Sequence, residues 1–158
     1  MKKETLLKSN NMKKILFAIL FLFNVVCVFS QNYSKEQESL RNEITDYLKK
    51  QGLNPEKQDD GLKFKSEGNT YYIEIDKDAK EPMYVRLRRY IKYDDNFDKN
   101  KIAENLNEYN VKFGVKVFCQ EKSFVISAEM FLTKASEFNY VFDTFLSHIK
   151  SAYKLVNE

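Results

Sequence analysis

Between residues 111 and 132 the chain alternates apolar and polar side chains twice, on either side of a short polar break. Val111, Phe113, Val115, Val117 and Cys119 fall on one face of an extended chain, with Lys112, Gly114, Lys116 and Gln120 on the other. A period of two is the signature of a strand with one buried face. Phe124, Ile126, Ala128 and Met130 repeat the pattern after residues 120–123, so the stretch predicts an antiparallel β-hairpin. An isolated hairpin is marginal in water. The rest of the chain must therefore supply more strands and a cover for the apolar face.

A helix is predicted over 35–51. Ser34 and Gln37 have capping-box spacing, Leu40, Ile44, Tyr47 and Leu48 recur at helical intervals, and Gly52 and Pro55 stop the run. Glu36, Arg41, Glu43, Lys49 and Lys50 fall on its solvent side. Three strands follow, over 62–65, 70–75 and 84–93, divided by Asp59-Asp60-Gly61, Glu67-Gly68-Asn69 and a loop over 76–82. In the third strand Val85, Leu87 and Ile91 point inward, and Tyr84, Arg86, Arg88, Tyr90 and Lys92 form the opposite face. A polar break over 94–100 leads to a short helix marked by Ile102, Ala103, Leu106 and Tyr109 and closed by Asn107 and Asn110. After the hairpin, Phe138, Val141, Phe142, Phe145, Leu146, Ile149, Tyr153 and Val156 form an aromatic-rich helical stripe, the natural cover for the sheet. The order α-β-β-β-α-β-β-α places residues 31–158 in the α+β class, as a single domain with a five-stranded antiparallel sheet covered by helices.

The first thirty residues have the parts of a secretory signal: a basic start, the apolar run over 15–29, and Val28 and Ser30 flanking a cleavage site after Ser30. The run has 15 residues and includes Asn24, short of the ~20 a spanning helix needs. A cleaved signal leaves no stable membrane span and a periplasmic or secreted product; the alternative is an N-terminal membrane anchor. Met12-Lys13-Lys14 is a more compact start than Met1, which makes residues 1–11 a candidate start-site extension. Cys27 is a poor lipidation site because Val26 precedes it where a small residue is preferred. Cys119 is then the one cysteine left, and its place on the apolar face predicts a buried, inert thiol.

Charge excludes one class of function. Of 26 basic and 23 acidic residues, five and one lie in the first thirty, leaving 21 against 22 in residues 31–158. A net charge of −1 there is not the clustered basic excess that nucleic-acid binding needs. Asp94, Asn96, Asp98 and Asn100 alternate like a calcium loop, but Lys99 stands where glycine is required and Asn105 where the bidentate glutamate belongs. Helix N-capping explains them better. His148 is the single histidine, and Asp59-Asp60 and Asp94-Asp95 are neighbours in turn-like segments rather than pairs facing across a cleft. These residues predict no catalytic set, no metal site and no cofactor. The candidate binding residues are Tyr84, Arg86, Arg88, Tyr90 and Lys92, with Arg89 adding charge beside them. Arginine forks pair with carboxylates and phosphates, and tyrosines add contact area. The plainer reading is a charged strand face that guards against association.

Leu48-Lys49-Lys50-Gln51-Gly52-Leu53, the turn from Gly61-Leu62-Lys63-Phe64-Lys65-Ser66-Glu67-Gly68 into Thr70-Tyr71-Tyr72-Ile73, and Asn107-Glu108-Tyr109-Asn110 resemble the YbjN-type, type III secretion chaperone-like fold. The resemblance covers roughly residues 35–156 and rests on short structural motifs. It implies a small binding module or homodimeric chaperone that holds a partner's extended segment. The function expected is an exported, non-enzymatic protein-binding or chaperone-like module, gripping a protein partner by sheet-edge pairing or in a groove beside the last helix. The alternative is a small-ligand or anion binder, or an enzyme, using the Arg86/Arg88 strand face.

Overall fold

The computed structural model describes residues 32–94 and 98–156, and of Lys112 and Phe113 the backbone alone. The predicted export signal, Cys27, Asp95 and Asn96 lie outside the described residues. Helix α1, Lys35–Lys50, opens with the predicted capping box: Ser34 Oγ accepts from the Gln37 amide at 3.2 Å, and Gln37 Oε1 accepts from the Ser34 amide at 2.9 Å. Gln37 is fully buried, and its Nε2 donates to the carbonyls of Asp76 at 2.8 Å and Ala79 at 3.1 Å. One side chain thus starts the helix and fixes it to the sheet.

The sheet has six strands: β1 (Glu56–Gln58), β2 (Gly61–Ser66), β3 (Asn69–Lys80), β4 (Met83–Lys92), β5 (Lys116–Cys119) and β6 (Ser123–Leu132). Their order across the sheet is β1-β2-β3-β4-β6-β5, and every neighbouring pair is antiparallel. The strand beyond the expected five is β1, three polar residues that carry no alternation to detect. Strand β3 runs on to Lys80 through what reads as a polar loop, with a register shift between Ile75 and Lys80. The Gln37 bonds take up the carbonyls of this irregular stretch.

Two short helices, α2 (Lys99–Glu104) and α3 (Leu106–Phe113), replace the single one expected. Asp98 is the N-cap of α2, accepting from the Asn100 amide at 2.6 Å and the Lys101 amide at 3.2 Å. The main correction falls on the opening hairpin. Residues 111–113 continue α3, Gly114 ends it at a φ of 63°, and strand β5 is four residues long. Leu106, Tyr109 and Phe113 share helical spacing, and a helix that buries Tyr109 overrides a three-residue alternation. Val111, assigned inward by that alternation, is 86% exposed.

Helix α4, Glu137–Val156, buries Phe138, Phe142, Leu146, Ile149, Ala152 and Val156. Together with Leu40, Ile44 and Leu48 of α1 it covers one face of the sheet, to which β3 gives Tyr71, Ile73 and Ile75, β4 gives Val85, Leu87 and Ile91, and β6 gives Phe124, Ile126 and Ala128. Tyr47 packs edge-on against Phe142 at 5.6 Å, and Phe64 stacks on Tyr71 at 5.4 Å. Each such fully buried side chain is worth roughly 1.5–3 kcal/mol of transfer free energy. The core takes one face of every long strand, and the opposite face is left outside it.

Candidate functional site: the open face of the sheet

Tyr84, Arg86, Arg88, Tyr90 and Lys92 lie together on the outward side of β4, as period-two alternation requires. Arg89 does not join them. It points into the helix-covered side, 8% exposed, where its guanidinium lies 3.5 Å from the Tyr153 ring centroid and Nη2 donates to Asn69 Oδ1 at 2.7 Å. Its charge belongs to the core and adds nothing to the outward face.

Glu74 of β3 organises that face. Its Oε2 lies 2.7 Å from Arg88 Nη1 and 3.2 Å from Arg86 Nε, and its Oε1 accepts from the Tyr90 hydroxyl at 2.6 Å. Arg86 also approaches Asp76 at 3.8 Å. Further across, Lys116 of β5 pairs with Glu129 of β6. The arginines singled out by sequence are thus engaged with carboxylates from the neighbouring strand. Burial acts against the Arg88 charge, but Tyr90 and Glu74 outweigh it and hold its pKa above the ordinary arginine value. Burial and the bond to Glu74 raise the Tyr90 hydroxyl. Burial, followed by contact with Glu129, pushes Tyr84 up to about 12. Burial pulls Glu129 upward too, yet hydrogen bonds from Lys116 and Tyr84 and the charge of Lys116 and Arg88 keep it below the usual carboxylate range.

Aromatic pairs flank this charge lattice. Tyr84 stacks on Phe131 at 4.8 Å, and Phe131 remains 68% exposed. Beyond the arginines, Tyr72 and Tyr90 meet edge to face at 5.3 Å. Val125 stands opposite both Tyr90 and Phe118 and is fully buried although it faces away from the main core. Arg88 covers Phe118, with its guanidinium 5.7 Å from the ring centroid. Sequence reasoning found the β4 row and missed its partners, because Glu74, Val125 and Phe131 become neighbours of that row only through register.

The rim of the sheet is closed to further pairing on one side. Asn110 of α3 accepts from the Val117 amide at 2.5 Å and donates to the Val117 carbonyl at 3.4 Å, occupying the backbone of edge strand β5. Strand β1 at the other edge has three residues. Sheet-edge capture of a partner therefore has little free backbone to use. Among the described residues no group of three His, Cys, Asp or Glu side chains could hold a metal ion. Cys119 is half-buried and unbridged, and Tyr93 contacts it.

No protein-family model matches the chain, and no curated protein matches its sequence. Solved structures do match its fold. YbjN from E. coli, a candidate transcription regulator, superposes with a TM-score of 0.55 at 12% identity, over 70% of this chain and 86% of that one. The fold is YbjN-like. An uncharacterised protein from Methanothermobacter thermautotrophicus also matches, with a TM-score of 0.52 at 10% identity, over 74% of this chain and 96% of its own. At such identities the YbjN-like likeness speaks for the arrangement of helices and strands and leaves the side chains on the open face to be argued from their own geometry.

Proposed function

We propose that the chain is an exported, non-enzymatic protein-binding module that holds a segment of another protein against the open face of its sheet. The observation carrying this reading is the mosaic of the face that no described helix covers: two aromatic pairs, Tyr84/Phe131 and Tyr72/Tyr90, set on either side of a neutralised lattice of Arg86, Arg88, Glu74 and Glu129. Exposed aromatics beside arginines fixed in place are the composition of protein-contact surfaces, since they add area at small entropic cost. Export is supported by the basic start and short apolar run of the first thirty residues. The near-neutral charge of residues 31–158 speaks against direct DNA contact, whatever role E. coli YbjN has. The anion-binding alternative loses ground because Arg86 and Arg88 already face Glu74, so an anion would have to displace a carboxylate.

The test is site-specific photo-crosslinking in cells. A benzophenone side chain at Phe131 should trap one reproducible partner, whose purified form binds with a Kd below about 10 µM and is lost on Phe131→Glu. The same group at Val111 or Tyr140, exposed on the helices, should trap none. Adducts from the helix positions alone would overturn the reading, and self-adducts from Phe131 would replace it with a homodimer.

A further inference from the structure

Across β1, β2 and β3 the open face carries the row Gln58, Gly61, Glu74. Gly61 puts no side chain into that row, and no other residue fits its place against β3. Its φ is 154°, and a Cβ built there would lie 1.8 Å from the Ile73 carbonyl oxygen. Beside this row lies a cavity of about 340 Å³ lined by Gln58, Asp60, Tyr72, Glu74 and Tyr90. That is near the lower end of the size of ligand sites, about 300–1,000 Å³, and suits one long side chain better than a cofactor.

The wall is the edge-to-face pair Tyr72 and Tyr90, a geometry that presents the face of a ring as well as an edge. The rim is acidic. Asp60 and Asp59 form the turn between β1 and β2, and both are exposed, with no ion pair to either among the described residues. The other charges nearby are engaged elsewhere, Lys77 among them, with its ammonium over the Tyr33 ring at 5.2 Å. Arg86 and Arg88 face Glu74 and Asp76, while Arg41 pairs with Glu38 and donates to the carbonyls of Gln58 and Gly61. What remains unbalanced is negative, beside ring faces that attract cations. The molecule already uses such contacts, with Arg86 over Tyr84 at 5.2 Å and Arg89 over Tyr153 at 3.5 Å.

We infer that this notch is a specificity pocket for a cationic side chain, the guanidinium or ammonium of an arginine or lysine in the bound protein. The inference rests on the open face being the docking surface, and names the feature a partner segment must carry. The long alkyl stem lies along Tyr72 and Tyr90, and the charged head meets Asp60 and the Gln58 amide oxygen.

The experiment is a titration of the isotope-labelled full chain with n-butylguanidinium, with its neutral isostere n-butylurea as control, followed by amide chemical shifts. Saturable shifts at Gly61, Tyr72 and Tyr90, in the millimolar range expected of a fragment, are the supporting result. They should weaken about fivefold or more in Asp60→Asn and in Tyr72→Leu, and fall as salt is raised. Equal response to the urea, unsaturable shifts spread over the surface, or indifference to Asp60→Asn in a variant that melts like the parent would overturn the pocket. The two proposals fail separately. Probe binding with no crosslinking from Phe131 removes the docking face and keeps the pocket, and a trapped partner without probe binding does the reverse.

Discussion

Arg89 carries a buried positive charge that faces neutral groups: Asn69 Oδ1 at 2.7 Å and the rings of Tyr153 and Tyr71 at 3.5 and 6.0 Å. A desolvated cation–π contact is worth about 2 kcal/mol and a charge-assisted hydrogen bond about 1.5–3 kcal/mol, and the two overlap. Arg89→Ala should therefore cost about 2–3 kcal/mol in urea unfolding, with part of that recovered in Arg89→Met, which refills the space with an apolar stem. A loss below about 0.5 kcal/mol, the range of ordinary surface changes, would mean that the stacking contributes nothing. The same residue shows how far single positions were legible. Alternation through Val85, Leu87 and Ile91 places position 89 inward, but arginine at that position reads as surface by residue type alone. The ring of Tyr153, 64 residues along the chain, is what admits it, and no local pattern announces that contact.

Asn110 closes a strand edge from a helix. Because its amide oxygen and nitrogen meet the Val117 amide and carbonyl, it acts as a one-residue substitute for a seventh strand. Asn110→Ala should cost about 1–2 kcal/mol, the usual penalty for stranding a backbone group, and should also increase self-association in light scattering as the edge of β5 becomes available. Asn110→Asp keeps the acceptor and loses the donor, so it should fall between the two. A monomeric Asn110→Ala protein of parental stability would remove the edge-guard role. Capped helix α1, the alternating strands β4 and β6 and the aromatic stripe of α4 were readable because each carries its signal over many residues. The 111–120 stretch was not, since an alternation that covers the last three residues of one element and the four of the next looks continuous until Gly114 is seen as a helix stop. Strand β1, with no apolar residue, is defined only by its pairing to β2.

At the scale of the whole molecule, one helix-covered face and one open face follow from amphipathic patterning, while the lattice on the open face depends on register between strands far apart in sequence. Glu74, Glu129 and Arg88 share that lattice through three different strands. The arrangement gives the fold a defined acid sensitivity. Burial pulls Glu38 and Glu129 upward, but Lys57 and Arg41 in the first case, and Lys116, Tyr84 and Arg88 in the second, hold them below their ordinary value of 4.5. Glu67, bonded to Lys150, and Glu137, bonded to Thr133 and Lys134 at the start of α4, are also held low. A carboxylate whose pKa is lower in the folded than in the unfolded chain binds fewer protons when folded, so its stabilisation is fully present above the unfolded value and is lost as pH falls through the folded one. Tm should therefore stay level from neutral pH down to the ordinary value of 4.5 and drop below it. Glu129→Gln should start from a lower Tm at neutral pH and show a shallower drop, because the bond it lacks is the one that acid removes. Calorimetry at about pH 7 and about pH 3.5 checks this. Parallel curves for parent and Glu129→Gln would assign the acid response to general charge repulsion and remove Glu129 from the account.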